Sequence, residues 1–442
     1  MKTYNRRKFI RATATTGLGF GVMQAASFNI LKNFPAKDKY RIAVMGVNGR
    51  GTQHVQGFAS LSNVEVAYIC DVDSRAIENA KGFLPREQQG KVKGLGDFRK
   101  ALDDKSIDAI TIAMPDHWHA PAALLGLSAG KHVYVEKPGS HNPAEATLLS
   151  QAASSSDKVV QMGNQRRSWP RVQEAIAELH HGVLGKVYYA RTWYTNNRQS
   201  IGKGKEEEVP AWLDYELWQG PAPRKKYKDN VIHYNWHWFW NWGTGELLNN
   251  GTHYIDLARW GLQAEYPVKV YSTGGRYQYQ DDWQTPDTQL ATFDFEGGKT
   301  IMWEGRSCNR RGINEMGSGV SFHGQKGSLE LLDNSYTIFD NDNKLVKSAE
   351  SQMQMFADTR GQGMAMDVGH FTNFINGIDK GGKLYSPYSE IAKSVHLCHL
   401  GNISYRTGRS LNIDNKTGQI INDADAMKLW SREYEKGWEP KA

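Results

Sequence analysis

Hydrophobic positions between residues 41 and 162 come in short, dense runs. Arg41–Met45, Val64–Cys70, Ile107–Ala113, His132–Val135 and Val159–Met162 are rich in β-branched residues, with few polar interruptions. Such runs mark strands buried on both faces. Between them Thr52–Leu61, Ala120–Ala129 and the stretch 143–155 read as helices, the second stopping at Gly130. This alternation predicts a doubly wound parallel sheet over residues 37–163.

The pattern changes after residue 163. Val187–Thr192, Val268–Thr273, Gln289–Phe295, Thr300–Gly305 and Ser328–Leu332 read as strands, and Gly297-Gly298 as a hairpin turn. Glu246–Trp260 reads as one helix, and Ser389–Gly408 as a closing amphipathic helix. A second α/β domain is therefore expected over 164–442, built on an open-faced, mostly antiparallel mixed sheet. A broad sheet face is a common subunit contact, so a homo-oligomer is expected. The length of 442 residues suits two domains.

In doubly wound sheets ligands bind at the carboxyl ends of the strands. The first strand ends in Gly46-Val47-Asn48-Gly49-Arg50-Gly51, and the second at Asp71, twenty residues after Gly51. Gly46 permits a tight turn, a small residue near Asn48 lets backbone approach a pyrophosphate, and Gly51 lets the helix pack on the sheet. The helix N-terminus offers free N–H groups to phosphates. Asn48 stands where the strict glycine fingerprint has its second glycine, but strand, turn, helix, strand and terminal acid keep the required offsets. A dinucleotide site is expected on Gly46, Asn48, Gly49, Arg50, Gly51 and Asp71. Asp71 favours NAD, because a carboxylate repels a 2′-phosphate; Arg75 nearby keeps NADP open. The alternative for Asp71 is an N-cap of the next helix. Two more strand ends, Met114–His119 and Glu136-Lys137-Pro138, add Pro115, His119, Glu136 and Lys137 to the cofactor candidates.

Charge and cysteines narrow the classes. Of the net charge of +7, six positive charges (Lys2, Arg6, Arg7, Lys8, Arg11, Lys32) fall in the first 36 residues, which hold no acid. The remainder is nearly neutral, which gives no electrostatic case for nucleic acid. Three widely spaced cysteines form no disulfide framework or metal pattern, and no metal-ligand cluster or internal repeat is seen. Asn5-Arg6-Arg7-Lys8-Phe9-Ile10, followed by a soft uncharged stretch to Ile30, resembles a twin-arginine export signal. That predicts passage of the folded protein through the twin-arginine machinery to the periplasm. A nucleotide loaded in the cytoplasm and held tightly suits that route. The plainer alternative is a basic tail.

Oxidation of an alcohol needs a hydride acceptor, a base for the hydroxyl proton and a cation or donor for the developing oxyanion. Lys137 stands at a strand end before a proline; alone it could be a surface lysine. Gly243–Asp256 places Asn249, His253 and Asp256 at i, i+4 and i+7 of the expected helix, on one face. His253 has the intrinsic pKa of a general base, but taken alone it reads rather as a satisfied buried histidine.

Gly46–Gly51, Glu136-Lys137-Pro138 and Gly245…Asn249…Gly251…His253…Asp256 together resemble the Gfo/Idh/MocA oxidoreductases, over essentially the whole chain after residue 36. The resemblance implies a Rossmann domain, an α/β domain with an open-faced sheet, NAD(P), and Lys137 with His253 as the catalytic pair beside Pro115 and the nicotinamide. This chain departs from the family at Asn249, where an aspartate is usual. An amide cannot take a proton, so Asn249 is expected to orient.

Aromatic residues interleaved with amides and arginines suggest a sugar site: Arg167, Tyr194, Asn197 and Arg198, then Trp236 and Trp240 in the segment leading to His253, with Asn249 and His253 themselves. Core packing is the alternative for each. The expected activity is oxidation of a ring hydroxyl of a small carbohydrate, or the reverse. The alternatives are a glycoside hydrolase or lyase that uses NAD transiently, and a non-catalytic nucleotide or sugar binder.

Overall fold

The computed structural model describes residues 39–351 and 361–441. The export signal expected in residues 1–36 lies outside the described residues.

The first sheet contains β1 (Tyr40–Met45), β2 (Val64–Cys70), β3 (Lys93–Leu95), β4 (Ala109–Ile112), β5 (His132–Glu136) and β6 (Val160–Gly163). All pairs are parallel, in the order β3-β2-β1-β4-β5-β6. The order reverses between β1 and β4, which opens a crevice at their carboxyl ends. The consecutive apolar residues of β1 and β4 are buried, as two covered faces require. Helices α1 (Arg50–Ala59), α2 (Ser74–Lys81), α3 (Asp116–Ser128) and α4 (Pro143–Ser155) connect the strands. α3 begins at Asp116, four residues earlier than expected, so Asp116–His119 form its first turn.

The chain then forms α5 (Pro170–His180), β7 (Val187–Thr195), α6 (Gly245–Asn249), α7 (Gly251–Leu262), β8 (Lys269–Gly275), β9 (Thr288–Phe295), β10 (Lys299–Arg306), β11 (Ser318–Gly324), β12 (Gly327–Leu332), β13 (Ser335–Phe339), β14 (Leu345–Ala349), α8 (Gly361–Lys380), α9 (Tyr388–Thr407) and β15 (Leu411–Asn412). The second sheet runs β14-β13-β12-β11-β7-β10-β9-β8-β15. Only β7 and β10 pair in parallel, so the sheet is mixed but mostly antiparallel. Buried and less buried residues alternate along β12 and β9, the signature of one covered face. Helices α7 and α9 pack on that face. Gly297 and Gly298, both at positive φ, make the expected β9–β10 hairpin.

Three expectations change. The helix expected over Glu246–Trp260 is two helices, α6 and α7, interrupted at Asn250 (φ −114°, ψ −31°). The helix over Ser389–Gly408 is neither amphipathic nor closing: 14 of the 20 residues of α9 are buried, and β15 and a packed tail follow it. Finally, α8 packs back on the first sheet's layer. Its Phe371 stacks on Phe58 of α1 with ring centroids 4.3 Å apart, and a Cβ on Gly57 would meet Phe371 at 2.5 Å. The C-terminal half thus supplies part of the core beneath the N-terminal sheet.

Candidate active site and nucleotide cleft

The turn after β1 is built around close backbone contacts. Gly46 has φ +77°, and a Cβ there would lie 2.7 Å from the backbone nitrogen of Met114. A Cβ on Gly51 would fall 1.8 Å from the Gly46 carbonyl oxygen. Gly49 is the N-cap of α1 and brings no side chain to its open N–H groups. Those groups are left to an anion at the helix end. Asp71 accepts from the backbone N–H of Val47 (2.7 Å) and of Asp73 (2.9 Å), which aims its carboxylate at the turn while leaving lone pairs for ribose hydroxyls. The helix-cap role considered for Asp71 belongs instead to Asp73, which accepts from the N–H of Arg75 (2.8 Å). Arg75 also pairs with Asp73 through its guanidinium and lies 3.4 Å from the Trp212 ring centre. A cavity of about 80 Å³ runs along these strand ends, lined by Gly46, Asn48, Asp71, Pro115, Trp118 and Trp236 among others. Backbone that no Cβ could enter, an uncapped helix end and a terminal acid together fit a dinucleotide.

Lys137, at the end of β5, lies beside this crevice. Its ammonium donates to both the main-chain oxygen and Oδ1 of Asn249, each at 2.8 Å. The amide's other end donates to Glu246 Oε1 (3.2 Å), so the Asn249 oxygen must face the lysine. Glu246, buried, is held in turn by Arg198 (2.7 Å) and the Ser307 hydroxyl (3.0 Å). Burial lowers the Lys137 pKa, while Glu136, Asp116 and Glu246 pull it back. Lys137 has three hydrogens, two of them committed to Asn249; the third is free for a substrate oxygen.

His253 sits in the first turn of α7, part-buried. Neither ring nitrogen has a hydrogen-bond partner among the described residues, and Nδ1 is enclosed. Burial, together with the charges of Lys137 and Arg166, holds its pKa well below the usual imidazole range, so the ring is neutral. Asn249 pairs with Lys137 and Glu246 rather than with His253. The break at Asn250 takes it out of the expected helical register.

The structure adds a group that the sequence did not assign. Asp116, buried in the first turn of α3, accepts from the Thr244 hydroxyl (2.5 Å), and Lys137 is among the charges acting on it. Burial pushes its pKa up to about 7. Its place at a strand end was legible, but its burial against residue 244 was not.

Several expected contacts are already spent inside the protein. Arg50 is not open to phosphates: it donates to Glu136 Oε1 (2.7 Å) and to Asp367 (2.6 and 3.2 Å). Glu136 does not face a nucleotide: its buried carboxylate is taken by Arg50, His54 Nε2 (3.0 Å) and Gln165 (2.9 Å). His119 is buried and accepts from the N–H of Gly139 (3.2 Å), which fixes the loop after Lys137. Arg167 is buried in a two-pronged pair with Asp256 (2.7 and 2.8 Å), out of a substrate's reach. Arg198 carries Glu246 and stacks near Tyr234 and Trp238, so it supports the site from behind. Tyr194 accepts from Asn196 (2.7 Å), and Asn197 is exposed on the polar tip after β7. Trp236 joins the nucleotide cleft, whereas Trp240 lines a different cavity. Trp236 stacks on His237 at 3.6 Å, and burial lowers the His237 pKa to about 3, with Lys137 among the contributing charges.

Fold and cleft define a dinucleotide-binding α/β protein whose second domain closes on the ends of the Rossmann strands. Residues 40–164 match the family model described as "Oxidoreductase family, NAD-binding Rossmann fold", and residues 186–440 its C-terminal alpha/beta domain. The chain belongs to the Gfo/Idh/MocA oxidoreductase family. Curated relatives include glycosyl hydrolase family 109 proteins of Shewanella putrefaciens and Shewanella baltica, each 26% identical over 185 residues. The match takes in 41% of this chain and 40% of each relative, so it spans about two-fifths of their length. Among solved structures, a levoglucosan dehydrogenase in complex with NADH and levoglucosan superposes with a TM-score of 0.67 at 17% identity, over 85% of this chain and 99% of that one. An Agrobacterium radiobacter oxidoreductase in complex with NAD+, L-tartaric acid and magnesium gives 0.64 at 14% identity, over 85% and 98%. A putative myo-inositol dehydrogenase from Sinorhizobium meliloti gives 0.60 at 17%, over 85% and 100%. At these identities the likeness is one of fold.

Proposed function

We propose that the protein oxidises a ring hydroxyl of a sugar or glycoside with NAD, or runs the reverse reaction. The observation that carries this reading is the Lys137 ammonium, fixed by two Asn249 oxygens beside the nucleotide cleft, with one hydrogen left to give. Bound NAD supplies the hydride acceptor. The free Lys137 hydrogen binds the substrate oxygen and stabilises charge developing there. His253, neutral and without a protein partner, takes the hydroxyl proton. Asn249 and Glu246 orient Lys137, and the neutral Asn249 puts no carboxylate in direct contact with its ammonium. Asp71, with Arg75 engaged by Asp73, supports NAD over NADP.

Incubation with a panel of glycosides should give a keto-sugar product. Lys137→Ala and His253→Ala should each lower kcat by about 10²–10⁴-fold while leaving NAD affinity nearly unchanged. Unchanged turnover in both variants would remove the assignment. The family 109 relatives support a second reading, glycoside cleavage through transient oxidation. Release of free aglycone without net NADH separates it from a dehydrogenase.

The sequence at Asn5–Ile10 supports export by the twin-arginine route to the periplasm, with the nucleotide retained. Self-association is proposed through the outer face of the second sheet, where Tyr271 and Leu290 stand exposed; light scattering at several concentrations tests it.

A further inference from the structure

A second cavity, of about 260 Å³, lies between the N-terminus of α4, the C-terminal half of α9 and the tail residues 429–433. It shares no lining residue with the nucleotide cleft; Thr244, which bonds Asp116, is one of its walls. Most polar groups around it are matched. Asn402 donates to the Thr244 oxygen (2.7 Å), His399 pairs with the Ser140 hydroxyl (2.9 Å), and Asn142 caps α4 through Glu145 (3.0 Å).

Three groups are not matched. Arg432 spends Nη2 on the Asn241 carbonyl (2.9 Å) and Nε on the Glu433 carbonyl (3.3 Å), but Nη1 is enclosed without a partner. Both ring nitrogens of His141 are enclosed and unpartnered. Arg406 stands exposed at the rim, 5.0 Å from the Trp240 ring centre, and makes no ion pair among the described residues. Enclosed donors without partners are rare, because each forfeits the water it left.

The chemistry of these groups is specific. Two guanidiniums facing one space attract an oxyanion. Two carboxylates stand nearby: Glu145 acts on Arg432 but its oxygens accept from Tyr434 (2.9 Å) and the His141 N–H (2.7 Å), and Glu433 lines the cavity at its exposed side, while neither makes an ion pair with Arg432 or Arg406 among the described residues. Burial and Arg432 hold His141 neutral, with one N–H to give and one nitrogen to accept, the pattern that reads a hydroxyl. Trp240 lines the same space, with the Arg406 guanidinium over one ring face, so an aromatic wall stands beside the cation. A liquid water occupies about 30 Å³, so the space exceeds what a few waters need.

We propose that this cavity is a second binding site, for a polyhydroxy carboxylate such as a uronic acid, with the carboxylate on Arg432 and Arg406, hydroxyls on His141 and one sugar face on Trp240. The inference stands independently of the catalytic reading.

Titration calorimetry on the full chain with glucuronate, inorganic phosphate and glucose tests it. Glucuronate should bind saturably at a site that the cavity variants weaken, and any glucose binding should be indifferent to those variants. Arg406→Gln, at the exposed rim, and Trp240→Ala should each weaken glucuronate at least tenfold, while Lys137→Ala leaves it unchanged. Arg432→Gln should do the same as Arg406→Gln; if it does not fold, the Arg406 and Trp240 variants decide. Absence of saturable binding, or binding indifferent to both variants, would reduce the cavity to a solvent pocket and overturn the proposal. Phosphate binding as tightly as glucuronate would overturn the sugar-acid assignment.

Discussion

At the scale of single residues, the same residue types serve very different ends, and burial decides which. Lys137 keeps a hydrogen free because Asn249 takes only two; Arg167, buried, turns its Nε–Nη2 edge wholly to Asp256. Arg167→Ala should therefore act on stability, costing about 3–5 kcal/mol through the uncompensated Asp256 charge, which chemical denaturation measures. Asp116 makes a pH prediction. Its carboxyl is raised by burial to about 7, so the stability it contributes is full below its unfolded value near 4 and is lost as pH climbs through about 7. Asp116→Asn should gain Tm relative to the parent between about pH 5 and pH 8. A constant difference across that range would show that the carboxyl is not buried in solution. None of these distinctions can be read from sequence, since an arginine beside an aromatic looks the same whether it meets a substrate or an aspartate.

At the scale of elements, local pattern was a good guide wherever one element closes its own account. The runs of β1, β2, β4, β5 and β6, the glycine turn and the Gly297-Gly298 hairpin were all visible because their causes are local. β3 was missed: Lys93-Gly94-Leu95 is too short and too exposed to show a pattern. The break between α6 and α7 was missed although the Asn250-Gly251 step, a turn former, stands at it, because the apolar periodicity runs on through it. Of the candidate site, Lys137, Asn249 and His253 were legible as motif residues, whereas the Glu246–Asn249–Lys137 chain required the fold. Helix α8 belongs to the C-terminal half in sequence but packs on the layer of the N-terminal sheet. Its Phe371 fills the space over Gly57 and stacks on Phe58. Phe371→Ala should cost about 3–5 kcal/mol and should loosen the N-terminal sheet, seen as faster hydrogen exchange in α1. Exchange confined to the second domain would contradict that packing.

At the scale of the whole molecule, six of the seven net positive charges fall in the first 36 residues, and Lys137 at the end of the first sheet meets Asn249 of the C-terminal half. Arg6→Lys with Arg7→Lys should retain the protein in the cytoplasm on cell fractionation; unchanged export would remove the twin-arginine reading. The twin-arginine proposal carries with it a cofactor that travels with the enzyme. The central claim is that a sugar carbon gives its hydride to that nucleotide. The direct measurement uses a panel of glycosides deuterated at their ring carbinol positions, followed by denaturation and mass spectrometry of the released nucleotide. One deuterium should appear on the nicotinamide with an accepted substrate and be absent in Lys137→Ala. Turnover of a glycoside with no deuterium reaching the nucleotide would contradict the account.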